Sequence, residues 1–153
     1  MEDHKLKIIH KALQGNKDAI EFINHLSFIA RAWDDIIDKD KGIDDDRINR
    51  AFWIALVEIP QNPFYQQYLF QLTPLLRDYI NSWLDANNME QGASDNNKHV
   101  AFVLRDLIGN IVMQCAYLIG GYDWMRTVSP WVRSFQFEEK FDQYMEGLTH
   151  GNV

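Results

Sequence analysis

Apolar residues recur along the chain at intervals of three and four, as on one face of an α-helix. No useful length of sequence alternates with the period of two that is typical of a strand. The pattern predicts helices over about residues 4–13, 17–39, 44–58, 63–86, 98–119 and 130–146. The polar stretch 87–97 is the clearest predicted loop. We therefore expect an all-α fold, with residues 1–153 forming one domain and a single bundle of about six helices.

Capping signals place several of these helix ends. Residues 44–46 are three aspartates that can each cap the third helix, and Gly120-Gly121 is a typical stop for the fifth. Asn62-Pro63 and Ser129-Pro130 each combine a cap with proline at the first helical position, so each predicts a helix start. Thr73-Pro74 leaves two alternatives: a further start of the same kind, or a kink in one helix that continues to about residue 86.

The composition excludes several classes of protein. With 46% hydrophobic and 13% aromatic residues, the 153-residue chain is too apolar for disorder throughout. Its one cysteine, Cys115, rules out an internal disulfide scaffold. The net charge of -7 argues against nucleic acid as the main partner, because a duplex binder needs a basic face. The same excess of acid is compatible with a cation site.

Neither the N-terminal residues nor the longest apolar stretch indicates a membrane protein. Residues 1–5 are mixed in charge and lack the apolar core of a signal peptide. The longest apolar stretch without a charge, residues 107–122, contains Asn110, Gln114 and three glycines and is short for a transmembrane helix. We therefore expect no membrane span and a cytoplasmic location.

A polar stripe runs along the second predicted helix between two apolar arcs. It contains Ser27, Arg31, Asp34 and Asp38. Asp34 and Asp38 are like charges four residues apart near the negative end of the helix dipole, which costs about a few tenths to 1 kcal/mol each. A divalent cation would offset that repulsion, and Mg²⁺ is commonly held by one or two carboxylates. The alternative is that both acids pair with Arg31 and neighbouring bases.

The helix predicted over residues 98–119 carries a second stripe. Asp106, Asn110 and Gln114 follow one another at intervals of four and so share one face, while nearly all other positions are apolar. Two central helices with one polar stripe each most simply face one another, which predicts a cavity between the stripes. The alternative is a buried hydrogen-bond network that fixes the register of the helices without a ligand.

Two sequence motifs resemble those of the class I isoprenoid synthases. The stretch Ile29-Ala-Arg-Ala-Trp-Asp-Asp-Ile-Ile-Asp38 resembles their first Asp-rich motif, most closely in the squalene/phytoene synthase branch. Val103-Leu-Arg-Asp-Leu-Ile-Gly-Asn110 resembles the second motif of that branch. The resemblance implies an isoprenoid-synthase-like all-α core, in which Mg²⁺ on facing helices holds a substrate diphosphate.

The same resemblance implies individual roles. The metal ligands would be Asp34, Asp38, Asp106 and Asn110. The candidates for substrate contact are Arg31, Asp35, Arg105 and Gln114. Asn110 stands where the second motif has an acid, and Gln114 where the related triad of terpene cyclases has Glu.

Three functions remain open from the sequence. The first is a Mg²⁺-dependent protein that binds a diphosphate-bearing small molecule, in its prenyl version with an apolar pocket beside the acids. The second is a non-enzymatic interaction or structural protein, in which protein bases satisfy Asp34 and Asp38 and no cavity lies beside them. The third is an enzyme like the all-α nucleotide pyrophosphohydrolases, with a shallower, more polar site between subunits. The dense aromatics of the C-terminal half also suggest a homodimer.

Overall fold

The computed structural model describes residues 2–39, 42–92, 94–137 and 139–150. Its regular elements within these ranges are helical, which confirms the all-α prediction. They are α1 (Glu2–Ala12), α2 (Lys17–Ile37), α3 (Asp45–Trp53), a π-helical segment (Ile54–Glu58), α4 (Ile59–Gln61), α5 (Pro63–Gln67), α6 (Leu69–Met89), α7 (Asp95–Leu104), α8 (Ile108–Phe135) and α9 (Phe141–His150).

Side-chain caps start four of the helices. The Oδ1 of Asn16 accepts a hydrogen bond from the N–H of Ala19 at 3.0 Å, and Asp44 caps α3 in the same way. Asn62 caps α5 with Pro63 at the first helical position, as the sequence predicts. Ser94 caps α7, so the predicted loop 87–97 is shorter at both ends than expected.

The C-terminal third differs from the prediction. Pro130 lies inside α8, and the prediction of a helix start at Ser129-Pro130 is wrong. Gly121, with φ of 82°, is non-helical and divides α8 into two helical parts at a kink, which agrees with the stop predicted at Gly120-Gly121. Val128 and Val132 on the second part are fully buried in the core. Pro74 similarly lies within α6, which selects the continuous-helix alternative at that position.

The predicted helix over residues 98–119 is broken at residues 105–107. In an unbroken helix, the carbonyl of Asp106 would accept the N–H of Asn110. Here the Nε2 of Gln136 donates to that carbonyl at 2.9 Å, and the N–H of Asn110 donates to the carbonyl of Leu107 instead. The prediction that Asp106, Asn110 and Gln114 form one continuous helical stripe is therefore wrong, since Asp106 lies outside α8.

The apolar core lies where α1, α2 and α8 meet. Its largest fully buried side chains include Leu13, Phe22, Ile23, Val112 and Val128. The indole N–H of Trp124 donates to the carbonyl of Ala12 at 2.8 Å and joins α8 to the end of α1. Helix α2 also packs on α3 and α5, and α6 packs on α7, so α2 and α8 hold central positions.

One stretch, Asp95–Phe135, is long and apolar enough to cross a membrane by length and composition. It comprises α7, the break and α8. Ile111, Val112 and Cys115 in its middle are buried against the rest of the bundle. Only 39% of its apolar window is buried, so the absence of a membrane span stays a prediction.

Candidate functional site

A cavity of about 430 Å³ opens where the C-terminal half of α2 meets α6, the start of α1 and the break between α7 and α8. Its wall contains three acidic, three basic and three aromatic side chains. These are Asp34, Asp106 and Glu139; Lys5, Arg31 and Arg105; and Trp33, Tyr79 and Trp83. The cavity therefore combines charges of both signs with an aromatic surface.

Four of the predicted site residues line this cavity. Asp34 and Arg31 come from α2, while Arg105 and Asp106 come from the break. Asp34 and Asp106 are both half-buried, and Asp106 lies 72 positions further along the chain. The two predicted polar stripes thus contribute one carboxylate each to the same wall.

The other two predicted residues of α2 lie elsewhere. Asp35 is half-buried and forms an ion pair with Arg47 of α3. Asp38 is the C-cap residue of α2 and is exposed, beyond the residues that line the cavity. Its backbone N–H donates to the carbonyls of Asp34 and Ile36.

The two predicted residues of α8 also lie outside the cavity wall. The Oδ1 of Asn110 accepts a hydrogen bond from Arg133 at 2.9 Å. Gln114 is half-buried one turn further along α8. The break explains both positions, because it separates Asp106 from the helical face that Asn110 and Gln114 occupy.

Arg105 is the centre of a polar network at the cavity. Its Nε and Nη2 donate to the two carboxylate oxygens of Glu90 at 2.8 and 2.6 Å, and Nη2 also donates to Asn87 at 2.8 Å. Its Nη1 lies 3.3 Å from the Oδ1 of Asp34, and the hydroxyl of Tyr144 donates to Glu90 at 2.8 Å. Burial alone would lower the pKa of Arg105, but the hydrogen bond and charge of Glu90, with the charge of Asp34, raise it above its ordinary value. Arg105 is therefore a permanent cation.

Asp106 is held by the segment that leads to α9. Its Oδ2 accepts the backbone N–H of Phe137 at 2.8 Å, while its carbonyl accepts from Gln136. Phe137 has φ of 58°, a left-handed conformation that an aromatic residue adopts only when its surroundings require it. Gln136 is itself buried and accepts from Arg133 at 2.6 Å. These bonds fix both the backbone and the side chain of Asp106.

Tyr79 lies close enough to both acids to respond to their charge. Burial, followed by the negative charges of Asp106 and Asp34, raises the pKa of Tyr79 to about 12. The hydroxyl therefore stays protonated at neutral pH. Beside it, the rings of Trp33 and Trp83 lie 5.2 Å apart at an interplanar angle of 56°, which gives the cavity an apolar side.

The arrangement limits how a metal could bind. Within the described ranges, no group of three or more His, Cys, Asp or Glu side chains could hold an ion. Asp34 and Asp106 could supply two carboxylate ligands, and Mg²⁺ with so few protein ligands completes its octahedron with waters and substrate phosphates.

Several site residues carry no signal in the sequence. Glu90 and Asn87 fall in the predicted loop, and Tyr144 falls on an aromatic stripe that is typical of a core. The contacts of Arg105 with Glu90 and Asn87 span 15 and 18 positions, and the contact of Tyr144 with Glu90 spans 54. No local spacing indicates such separations. Glu139 also lines the cavity. It follows the C-terminal end of α8 at Phe135, a helix end that the sequence did not predict.

Comparison with models of protein families finds no match, and comparisons with curated proteins and with solved structures find none either. The relationship to the class I isoprenoid synthases therefore stays a prediction from the two sequence motifs.

Proposed function

We propose that the cavity binds a small organic diphosphate together with Mg²⁺. The observation that carries this proposal is the shared wall of Asp34 and Asp106, which come from separate elements and stand beside Arg31, Arg105 and Lys5. Carboxylates are the protein ligands that Mg²⁺ prefers, and guanidinium groups bind phosphate oxygens in a forked geometry. Both halves of a metal–diphosphate pair would thus find partners in one cavity.

The charges of the wall explain why the metal would be required. An added diphosphate would share the cavity with the carboxylates of Asp34, Asp106 and Glu139, which repel it. Mg²⁺ held by Asp34 and Asp106 would offset that repulsion. When bound, the ion would also stabilise a diphosphate that leaves its organic group as an anion.

The aromatic side of the cavity supports a prenyl diphosphate as the first ligand to test. Trp33, Trp83 and Ile80 stand beside the acids, as the prenyl version of the hypothesis predicts. The exposed fraction of Trp33 is 37%, so ring surface is accessible for contact with an apolar chain. Burial of that surface would contribute about 25 cal/mol per Å².

A second candidate function is supported by one contact. The pairing of Asp34 with Arg105 is what a purely structural network would require. A purely structural network would not require the cavity beside Asp34. At 3.3 Å this contact is longer than the bonds from Arg105 to Glu90, so Glu90 is the main partner of the guanidinium.

The test is a thermal-shift titration of metal-free protein with Mg²⁺ or Mn²⁺, each with and without inorganic diphosphate. A ligand at 100 times its dissociation constant adds about 2.7 kcal/mol, or a shift of about 5 to 11 °C for a chain of this size. We expect the metal to add a shift beyond that of diphosphate alone, and this metal-dependent part should grow with diphosphate and disappear in Asp106→Asn. Asparagine can still accept the N–H of Phe137, so this variant removes the charge and leaves the local structure in place.

Asp34→Asn and Asp38→Asn extend the test along α2. Asp34→Asn should also abolish the shift, while Asp38→Asn should keep it, because Asp38 lies outside the cavity wall. Loss of the shift in Asp38→Asn would return that residue to the ligand set. No metal-dependent shift in the parent protein, combined with lower stability of Asp34→Asn, would favour the structural function instead.

A further inference from the structure

A second cavity, of about 320 Å³, lies on the other side of Arg31. Three basic side chains line it, Lys5 of α1, Arg31 of α2 and Arg47 of α3. The rest of the wall is formed by the polar residues Asn24 and Ser27 and the apolar residues Leu6, Ile9 and Phe28. No acidic residue lines it within the described ranges. This basic cavity therefore contrasts with the mixed cavity at Asp34 and Asp106.

We propose that the basic cavity binds a phosphate group without a metal ion. The required chemistry is a set of convergent donors of positive charge in a partly desolvated recess, which Lys5, Arg31 and Arg47 supply. The cavity lies at the lower end of the volumes that small-molecule sites show, about 300 to 1,000 Å³. Its size fits a small anionic group better than a whole cofactor.

Arg47 is positioned for this role by its neighbour. Its Nη1 donates to Asp35, and 31% of its side chain remains exposed. A guanidinium carries five N–H donors, so one bond to Asp35 orients the group and leaves donors for an anion. Asp35 was predicted to contact the substrate directly, whereas in this arrangement it acts as a positioning residue for Arg47.

The two cavities are neighbours, because Lys5, Ser27 and Arg31 line both. A phosphate in the basic cavity has these groups between itself and the carboxylates of Asp34 and Asp106, so it needs no bridging cation. If the proposed function holds as well, a single ligand could place one anionic group on each side of Arg31. The binding of phosphate in the basic cavity does not depend on that extension.

The experiment measures binding of inorganic phosphate and inorganic diphosphate by calorimetry in excess EDTA, with the full chain. We expect Arg47→Gln and Lys5→Gln each to weaken binding about tenfold, the equivalent of one charge-assisted hydrogen bond. The matched control is Arg50→Gln, which removes the same charge from the same helix but faces a different cavity, with Asp46 and Glu58 in its wall. Arg50→Gln should bind as the parent protein does.

Three outcomes would overturn the proposal: no binding in EDTA, equal weakening by Arg50→Gln, or unchanged binding in both Arg47→Gln and Lys5→Gln. Vesicles containing phosphatidic acid distinguish a lipid headgroup from a free phosphate, and binding to vesicles without binding to inorganic phosphate would also overturn it. Asp106→Asn separates this proposal from the proposed function. That variant should lose the metal-dependent shift and keep phosphate binding in EDTA.

Discussion

The two halves of α2 have opposite environments within one continuous helix. Its N-terminal half contributes Phe22, Ile23 and Leu26 to the apolar core, and Phe22 is fully buried. Its C-terminal half contributes Arg31 and Asp34 to the cavity wall and is largely half-buried or exposed. One half of α2 thus packs in the core, and the other half supplies residues of the candidate site. Substitutions in the two halves should therefore have different effects on the free energy of unfolding.

The largest expected effect is in the core half. Phe22→Ala should lower the free energy of unfolding by about 3 to 5 kcal/mol, because the ring is fully buried against Tyr65 and its loss leaves a cavity. Urea unfolding followed by circular dichroism measures this change. The control is Trp33→Ala, another aromatic truncation 11 residues along the same helix, with the ring 37% exposed. It should cost less than about half as much, and equal losses would contradict the division of α2.

The core half of α2 could be predicted from the sequence because its signal is local. Apolar side chains at three- and four-residue spacing identify a buried face without knowledge of its partner. The cap at Asn62 is predictable for the same reason, since its pairing with Pro63 is contained in two neighbouring residues. The same kind of signal failed at Ser129-Pro130, which lies inside α8 between the fully buried Val128 and Val132.

The site half could be predicted only in part. The polar stripe indicated that Asp34 faces another polar element, and Asp106 does share its cavity. The break at residues 105–107 could not be predicted, because it depends on Gln136, 30 positions away. The Nε2 of Gln136 donates a hydrogen bond to the carbonyl of Asp106. That long-range bond moved Asn110 out of the expected site.

The next effect tests whether the site half also contributes to stability. Arg105→Gln should lower the free energy of unfolding by about 2 to 4 kcal/mol, because Glu90, with 13% of its side chain exposed, loses its bidentate partner. The same urea measurement applies. The control is Arg47→Gln, which breaks the more exposed pair with Asp35 and should cost no more than about 1 kcal/mol. Equal values for the two variants would mean that the Arg105 network is no stronger than a surface ion pair.

The smallest effect concerns the link from this network to α9. Tyr144→Phe removes the hydroxyl that donates to Glu90 at 2.8 Å and should cost about 1.5 kcal/mol, the lower end of the range for a hydrogen bond to a charged acceptor. Tyr122→Phe is the control, because the exposed fraction of Tyr122 is 66%. Its free energy of unfolding should stay within about 0.5 kcal/mol of the parent value.

The stabilisation by Tyr144 should also depend on pH with a definite sign. Burial, then the hydrogen bond and charge of Glu90, raise the pKa of Tyr144, with a smaller opposing effect of Arg105. The native state therefore holds this proton more tightly than the unfolded chain, whose tyrosines ionise near pH 10. The contribution is complete below about pH 10 and is lost as the pH rises beyond it. The difference in unfolding free energy between the parent protein and Tyr144→Phe should therefore shrink between about pH 8 and about pH 11. A difference that stays constant would show that Glu90 does not hold the hydroxyl of Tyr144 in its protonated form. The Arg105–Glu90 network would then be less tightly bound to α9 than the distance of 2.8 Å between Tyr144 and Glu90 implies.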